Sequence, residues 1–362
     1  LEAASVVGEA FAVRAVTAGV QDTVKDVQTV CDTLAAQHHF IEDTGVTAWP
    51  DGTRGGSYRF QHTLYQQVLY DELGSTRRGE LHRRIGTRLQ AGYGAQAAEI
   101  AAQLAVHFER CGEIQPAVHY WQQVADRAAR RNAPHEAIAA LHTGLALLAT
   151  LPDNPERIQQ ELTLQLTLGE LLMATKGMGA PEAGQAYSRA HGLCQQLRET
   201  PHRFGVLSGL TMFHATQGRL GLAQTFGQQL LDLALCQPDP VLVREGHTAV
   251  GVVALYRGDL IAARTHFEQS LELSAAQPPS TSIFAGGLYP GIASLVWLVR
   301  ALWVLGYADQ AQQRSQDALA LARQTEHAPS IAYAEYMLAM LSQCCRETTT
   351  THARADALMA FA

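Results

Sequence analysis

The stretch Leu255–Phe267, "LYRGDLIAARTHF", places a glycine five residues before an alanine within a helical pattern of apolar residues. The same relation recurs at Gly112/Ala117, Gly218/Ala223, Gly258/Ala263 and Gly306/Ala311, and with asparagine at Asn132/Ala137. Glycine and asparagine tolerate the left-handed conformation that ends a helix. A small alanine lets the following helix approach its neighbour closely. The repeated pair therefore predicts tandem helical hairpins.

The spacing of the glycines indicates which class of helical repeat is present. Gly218, Gly258 and Gly306 are 40 and 48 residues apart, which is longer than the roughly 34 residues of a regular tetratricopeptide repeat. We interpret residues 91–362 as five or six long, degenerate tetratricopeptide-like hairpins stacked as an α-solenoid, joined by the proline-rich connections "LPDNP", "QPDP" and "QPPSTS". Such arrays commonly receive a protein or peptide in a groove. The residues do not identify that ligand.

Residues 1–90 differ from the rest in their local patterns. A helical pattern over residues 24–40 runs into the β-prone "HFIED", and the glycine- and proline-rich "TGVTAWPDGTRGGS" of residues 44–57 reads as a loop. The short strand "YRFQH" and another helix follow. Helices, then a two-stranded hairpin with this glycine-rich tip, then another helix are the order expected of a winged-helix domain. The predicted fold class is mainly α, with a winged helix followed by a tetratricopeptide-like α-solenoid.

The composition of the chain restricts its expected binding partners and its expected cellular compartment. Hydrophobic residues make up 47% of the chain, charged residues 17%, and the net charge is -7, so no overall basic field exists to hold nucleic acid or an anionic membrane. Asp26 and Asp32 lie in the helix that a winged helix would place in DNA, which argues against DNA binding through this part. Scattered cysteines without a CxxC pair and the absence of a signal peptide or membrane-length apolar segment predict a cytoplasmic protein.

The chain carries no recognisable catalytic motif. GxxxxGK[ST], HExxH and GxSxG are all absent, and no pair of carboxylates falls on an inferred common face. Cys31, His38 and His39 lack a fourth ligand for a metal. We therefore predict no active site, metal site or bound cofactor within these residues. Because the chain begins at Leu1 and stops inside a predicted helix, we expect it to be part of a longer protein.

A candidate anion site lies within Tyr58–Ile85, "YRFQHTLYQQVLYDELGSTRRGELHRRI". His62 falls at the start of a helix that we expect to pack its apolar arc against a neighbour, namely Leu64, Tyr65, Val68 and Leu69. A helix start offers free backbone N–H groups and a positive dipole end, and an imidazole there could donate to a phosphate. The alternative is that His62 only caps the helix.

Three arginines line one side of the next helix. Arg77, Arg84 and Arg88 fall within a narrow arc beside its apolar stripe and could form an edge that faces a phosphate or another domain. The alternative is a solvated helix flank on which Glu80 offsets one of the charges.

Several of these stretches resemble one family. "LEAASVVGEAFAVRAV", "YRFQHTLYQQVLYDEL" and "RRGELHRRIGTRL" resemble the region that follows the AAA-type ATPase module of bacterial signal-transduction ATPases with numerous domains. "ARRNAPHEAIAALHTGLALLATLPD", "ELTLQLTLGELLMATKGMGAPEAGQAYSRAHGLC" and "ALWVLGYADQAQQRSQDALALA" resemble the tetratricopeptide-type tail of the same proteins. The resemblance extends over essentially the whole chain.

The resemblance also implies roles for individual residues. Residues 60–63, Phe-Gln-His-Thr, resemble a Met-His-Asp motif, which implies that His62 lies near the β-phosphate of ADP in the parent protein; Gln61 and Thr63 replace the flanking residues. It implies ATP or ADP and an upstream ATPase domain as partners of His62 and the arginine edge. Members of the family commonly carry an output module, such as a class III adenylate or guanylate cyclase, a DNA-binding domain or a kinase.

These expectations combine into one function with two alternatives. The chain is interpreted as the regulatory, partner-binding part of a signal-transduction ATPase, in which the winged helix controls a nucleotide-dependent switch. The first alternative is a non-catalytic peptide-binding scaffold without a switch. The second is a transcriptional regulator that uses the winged helix, which predicts salt-sensitive binding of duplex DNA by residues 1–90.

Overall fold

Helices dominate the computed structural model, which describes residues 1–20, 22–197, 200–236, 239–275, 288–289 and 291–359. The chain divides into two units, Leu1–Arg157 and Ile158–Ala362. The expected change near residue 90 falls inside a continuous helix of the first unit, so the domain boundary placed there stays a prediction. The mainly α, tetratricopeptide-like class is confirmed.

The first unit opens with a small sheet among helices. The elements are α1 (Glu2–Val7), β1 (Ala10–Ala12), α2 (Val13–Val20), α3 (Val24–Ala36), β2 (Ile41–Ala48), β3 (Arg54–Phe60), α4 (Thr63–Asp71) and α5 (Ser75–Tyr93). The strands form an antiparallel sheet in the order β1-β3-β2. Phe11, Tyr58 and Phe60 are buried and pack their rings together, which forms the core of this sheet. The element order is compatible with the predicted winged helix, whose assignment stays a prediction.

The loop predicted over residues 44–57 is largely wrong. β2 and β3 run through this stretch as a hairpin and leave only residues 49–53 as the turn. Its glycines serve the hairpin: Gly45 has a positive φ at the irregularity in the β2–β3 register, and a Cβ on Gly56 would lie 2.4 Å from the Gln28 amide. That amide accepts the Gly56 N–H at 2.9 Å, so a side chain at this position would displace the end of the Gln28 side chain and its hydrogen bond.

The packing predicted for α4 is also wrong. The helix has no buried residue, and Leu64 and Val68 are 55% and 46% exposed. α4 is instead held from its other side, where the Gln66 amide donates to the Ser5 carbonyl at 2.6 Å. The arc was correctly placed on one side of a helix, but helical spacing does not say which side a neighbour covers.

The remaining helices follow one another with short connections. The first unit continues with a 3-10 helix (Gly94–Ile100), α6 (Ala101–Arg110), α7 (Ile114–Arg130) and α8 (Pro134–Leu148). α9 (Pro155–Lys176) runs into the second unit, which contains α10 (Pro181–Gln196), α11 (Arg203–Thr216), α12 (Leu220–Leu235), α13 (Pro240–Arg257), α14 (Leu260–Ala275), α15 (Ile292–Val304), α16 (Ala308–Gln324), α17 (Ala328–Cys344) and α18 (Thr348–Met359). Among these described helices, and those before them, none is both long and apolar enough to cross a membrane.

The glycine–alanine repeat is confirmed at atomic level. Each predicted helix end has a positive φ, as at Gly258 (82°) and Asn132 (56°), and each paired alanine is 0% exposed, as at Ala263 and Ala137. The N–H after Gly258 donates to the Ala254 carbonyl at 2.9 Å, which satisfies a carbonyl at the end of α13. Equivalent bonds of 2.9 Å follow Gly112, Asn132, Gly218 and Gly306.

The proline-rich connections fall where helices change. "LPDNP" joins α8 to α9. In "QPDP", the Asp239 carboxylate accepts the Val241 N–H at 2.8 Å and caps α13, while residues 237–238 lie outside the described residues. The third connection, "QPPSTS", lies entirely outside them.

Candidate functional site

His62 occupies the N-cap of α4. Its Nδ1 accepts the N–H of Leu64 at 3.0 Å, so the helix-capping interpretation describes the geometry. Because Nδ1 is the acceptor, the neutral ring carries its proton on Nε2, and that N–H is free to donate to another group. The side chain is exposed. Capping and donation to a phosphate are therefore compatible, and the second stays a prediction.

The three arginines of the predicted edge on α5 are paired within the chain. Arg77 and Arg84 both form ion pairs with Glu80. Arg88 pairs with Asp51 at 3.0 Å, and its guanidinium lies 4.6 Å from the centroid of the Trp49 ring. The interpretation of a helix flank balanced by Glu80 describes Arg77 and Arg84. Their role, and that of Arg88, in contacting a nucleotide stays a prediction.

Arg88 fixes the tip of the β2–β3 hairpin to α5. Trp49 is 5% exposed, and the Asp51 N–H donates to the Gly92 carbonyl at 3.1 Å. The pKa of Asp51 is lowered to about 2, chiefly by hydrogen bonds from the Thr53 hydroxyl and N–H, and further by Arg88. The Arg88 guanidinium thus holds the Trp49 ring through a cation–π contact and holds the turn through its ion pair with Asp51.

A buried histidine pair that sequence reasoning missed links three helices. The Tyr70 hydroxyl of α4 lies 2.9 Å from Nε2 of His82 on α5, and Nδ1 of His82 lies 2.9 Å from Nδ1 of His107 on α6. Burial lowers the pKa of His82 to about 3, helped by His107 and by the positive charges of Arg110 and Arg78. Burial alone lowers the pKa of His107 to about 4. Both rings are therefore neutral at pH 7.

An apolar cavity of about 340 Å³ lies in the second unit. Residues separated widely in the sequence form its wall: Met178, Met212, Leu288, Trp297, Pro329, Ala332, Tyr333 and Tyr336. None of these lining residues is charged. Aromatic rings and flexible thioethers adapt well to an apolar side chain, so the wall has the chemistry of a hydrophobic binding site.

The helices that supply this wall belong to one set. α11, α15 and α17 are each the first helix of a pair, and together with α13, the first helix of the pair between α11 and α15, they contact one another in sequence. Aromatic residues of the repeats lie in two environments. Tyr120, Phe267 and Trp297 are buried between helices, whereas Tyr256 and Tyr336 are 37% and 47% exposed. Helical spacing does not separate the buried rings from the exposed ones.

The described residues contain no group of three His, Cys, Asp or Glu side chains arranged to hold a metal ion. Cys31 is buried, and burial raises the pKa of its thiol. His38 and His39 do not join it in such a group within this part of the chain.

Comparisons with known proteins identify the fold. No protein-family model matches the chain. An uncharacterised protein of Rhizobium meliloti (strain 1021) is 29% identical over 134 residues, which is 37% of this chain and 13% of that protein. The chain thus matches only about an eighth of the length of this curated relative.

Solved helical-repeat structures resemble the chain in fold. The apo form of RapI is 12% identical, with a TM-score of 0.51 over 82% of this chain and 79% of RapI. A Rap protein complexed with competence and sporulation factor is 11% identical, with a TM-score of 0.52 over 79% of this chain and 92% of the Rap protein.

A third structure matches most of the chain less closely. It is a signal-transduction ATPase with numerous domains and a tetratricopeptide repeat sensor from Pyrococcus horikoshii, 13% identical, with a TM-score of 0.45 over 93% of this chain and 54% of the ATPase. The conclusion drawn from the two Rap structures is that the chain has a tetratricopeptide-like helical repeat fold.

Proposed function

We propose that this chain is the regulatory, partner-binding part of a signal-transduction ATPase. The observation that carries the proposal is the uncharged, aromatic-lined cavity to which the first helices of three repeat pairs contribute. A cavity of this kind offers an apolar partner a place to bury its side chains. The Rap structure of similar fold is complexed with competence and sporulation factor, which supports assigning a peptide or protein ligand to the repeats.

The second half of the proposal concerns a nucleotide-dependent switch. Residues 1–90 would act as a winged helix that closes on an upstream ATPase domain binding ATP or ADP. The exposed His62 supports this assignment. Because Nδ1 accepts the hydrogen bond that caps α4, the neutral ring carries its proton on Nε2 and can donate it to a phosphate. Arg77 and Arg84 would exchange Glu80 for acidic or phosphate groups of that domain.

The switch is tested on the full-length parent protein by measuring the nucleotide that remains bound after purification. His62→Ala is expected to reduce retained ADP, since the donor to the phosphate is lost. His62→Asp separates the two roles of the residue: aspartate is a good N-cap but repels phosphate, so ADP is lost while α4 keeps its cap.

The matched control is His119→Ala, which removes an exposed histidine of α7 and should leave ADP content unchanged. Full ADP retention in both His62 variants would contradict the nucleotide-sensing role. It would leave the repeats as a partner-binding module.

The alternative of a scaffold without a switch is favoured by one observation. Arg77, Arg84 and Arg88 each already have a carboxylate partner in the chain, which reduces the need for an external one. This alternative predicts equal partner affinity with ADP and with a non-hydrolysable ATP analogue bound to the parent. A difference between the two affinities would contradict it.

A further inference from the structure

Arg300 is a cation beside the apolar wall of the cavity in the second unit. Arg300 lies on α15 three residues after Trp297, so the two side chains share one face of the helix. The Arg300 guanidinium is 6.0 Å from the centroid of the Tyr256 ring, and that ring is 6.2 Å from the Trp297 ring. The Arg300 charge also acts on the hydroxyl of Tyr333, another wall residue. Arg300 is therefore at the margin of the cavity.

Arg300 is exposed and forms no ion pair with a carboxylate among the described residues. Residues 276–287, which are not described, contain no aspartate or glutamate. Most other arginines in the described part of this unit are paired, as Arg323 and Arg354 are with Glu335. An unpaired guanidinium next to a water-excluding surface favours an anionic ligand, and its planar donors suit a carboxylate.

The volume of the cavity limits the size of the apolar group that an anionic ligand can insert. About 340 Å³ is near the lower end of the range for ligand sites, which is roughly 300–1,000 Å³. It fits one or two bulky side chains. The absence of charge among the lining residues selects against a polar group inside, since an unpaired buried polar group costs free energy.

We propose that this site binds a peptide that inserts a bulky apolar side chain into the cavity and, one or two residues away, pairs a carboxylate with Arg300. The carboxylate is that of an Asp or Glu side chain or of the peptide's C-terminus. This specificity rests on the partner-binding function proposed above and defines the ligand chemistry of the same site.

The test is a selection from a random peptide display library on the whole chain, followed by fluorescence anisotropy with the enriched peptides. Enrichment of a large apolar residue next to a carboxylate is expected. Converting that carboxylate to its amide should weaken binding about tenfold. Arg300→Glu should weaken binding of the acidic peptide by at least as much and should shift the selection towards lysine or arginine at the same position.

Two further variants keep the result interpretable. Arg203→Glu makes the same change of charge at an exposed arginine at the start of α11 that forms no ion pair within the described ranges, and it should not alter selection or affinity. Ala332→Leu fills the cavity from a half-buried wall position and should abolish binding. Circular dichroism and thermal melting confirm that each variant is folded.

The outcomes distinguish the carboxylate specificity proposed for Arg300 from peptide binding at the cavity. Enriched peptides that lose affinity with Ala332→Leu but ignore Arg300→Glu would overturn the carboxylate specificity and keep the site. Enriched peptides insensitive to both variants would overturn this site. Failure of every selection with folded protein would overturn peptide binding by the repeats together with the present inference.

Discussion

At the scale of single residues, the His82–His107 pair makes stability depend on pH. Both pKa values are lowered in the folded chain, to about 3 and about 4, whereas an unfolded histidine titrates near 6.5. The unfolded state therefore binds more protons between these values. Stability from the pair is fully present above about pH 6.5 and falls as pH falls towards 4, by at most about 1.4 kcal/mol per pH unit for each histidine.

Urea unfolding followed by circular dichroism across this pH range measures the dependence. Other half-buried histidines, including His247 and His266, also have pKa values lowered by burial and contribute to the dependence on pH. The double variant His82→Phe, His107→Leu isolates the pair because its slope of unfolding free energy against pH should be shallower than that of the unmodified protein. Equal slopes would show that the pair does not resist protonation.

The Trp49 ring of the hairpin tip packs in the space that a side chain on Gly92 would occupy. A Cβ on Gly92 would lie 2.3 Å from the Trp49 ring, against which the Arg88 guanidinium also packs. Gly92→Ala is expected to destabilise the chain by roughly 1–3 kcal/mol, as overpacking does. Gly192→Ala is the control, since a Cβ there meets no atom within 4 Å in the helix α10 and should stabilise by up to about 1 kcal/mol. Equal melting temperatures for the two variants would contradict the packing of Trp49.

At the scale of elements, the helix-ending turns determine where each pair of repeat helices bends. Gly258 has φ of 82°, a conformation that costs other L-residues about 1–2 kcal/mol. Gly258→Ala should therefore lower the free energy of unfolding by about that amount. Gly258→Asn should cost less, because Asn132 already occupies the equivalent position with φ of 56°. Guanidinium unfolding of the two variants checks the order, and a less stable asparagine variant would contradict it.

The repeat turns could be predicted because each depends on residues close in sequence. Gly258 and Ala263 are five residues apart, and backbone conformation and local crowding determine both. The side of α4 that is covered could not be predicted in this way, since it depends on Ser5 and on α5. The hairpin was predicted with too long a tip, because Gly55 and Gly56 resemble loop residues in sequence but lie within β3, where a Cβ would meet the Arg14 and Gln28 side chains.

The candidate site was predicted least well. His62 was correctly placed at a helix start, because a cap is local. Met178 and Tyr336 line one cavity although they are far apart in sequence, and no periodicity links them. Arg88 was grouped with Arg77 and Arg84 by helical spacing, yet its partners are Trp49 and Asp51 of a distant turn.

At the scale of the whole molecule, stability should depend on neighbouring helices in the array. α18 contributes no buried residue. α17 contributes Ala334, Met337 and Leu338 to a core cluster with α15 and α16. A chain ending at Glu347 should therefore melt near the temperature of the full chain. A chain ending at Gln324 should melt at a much lower one, because apolar surface on α15 and α16 becomes exposed to water.

The same two truncations link the architecture to binding. The chain ending at Glu347 keeps every wall residue of the cavity as well as Arg300, so it should bind the selected acidic peptide as tightly as the full chain. The chain ending at Gln324 lacks Pro329, Tyr333 and Tyr336 and should not bind it, even at a temperature where circular dichroism shows retained helix. Loss of binding by the chain ending at Glu347 would mean that α18 contacts the ligand, which its position after the cavity helices does not predict. Retained binding by the chain ending at Gln324 would place the ligand elsewhere on the repeats.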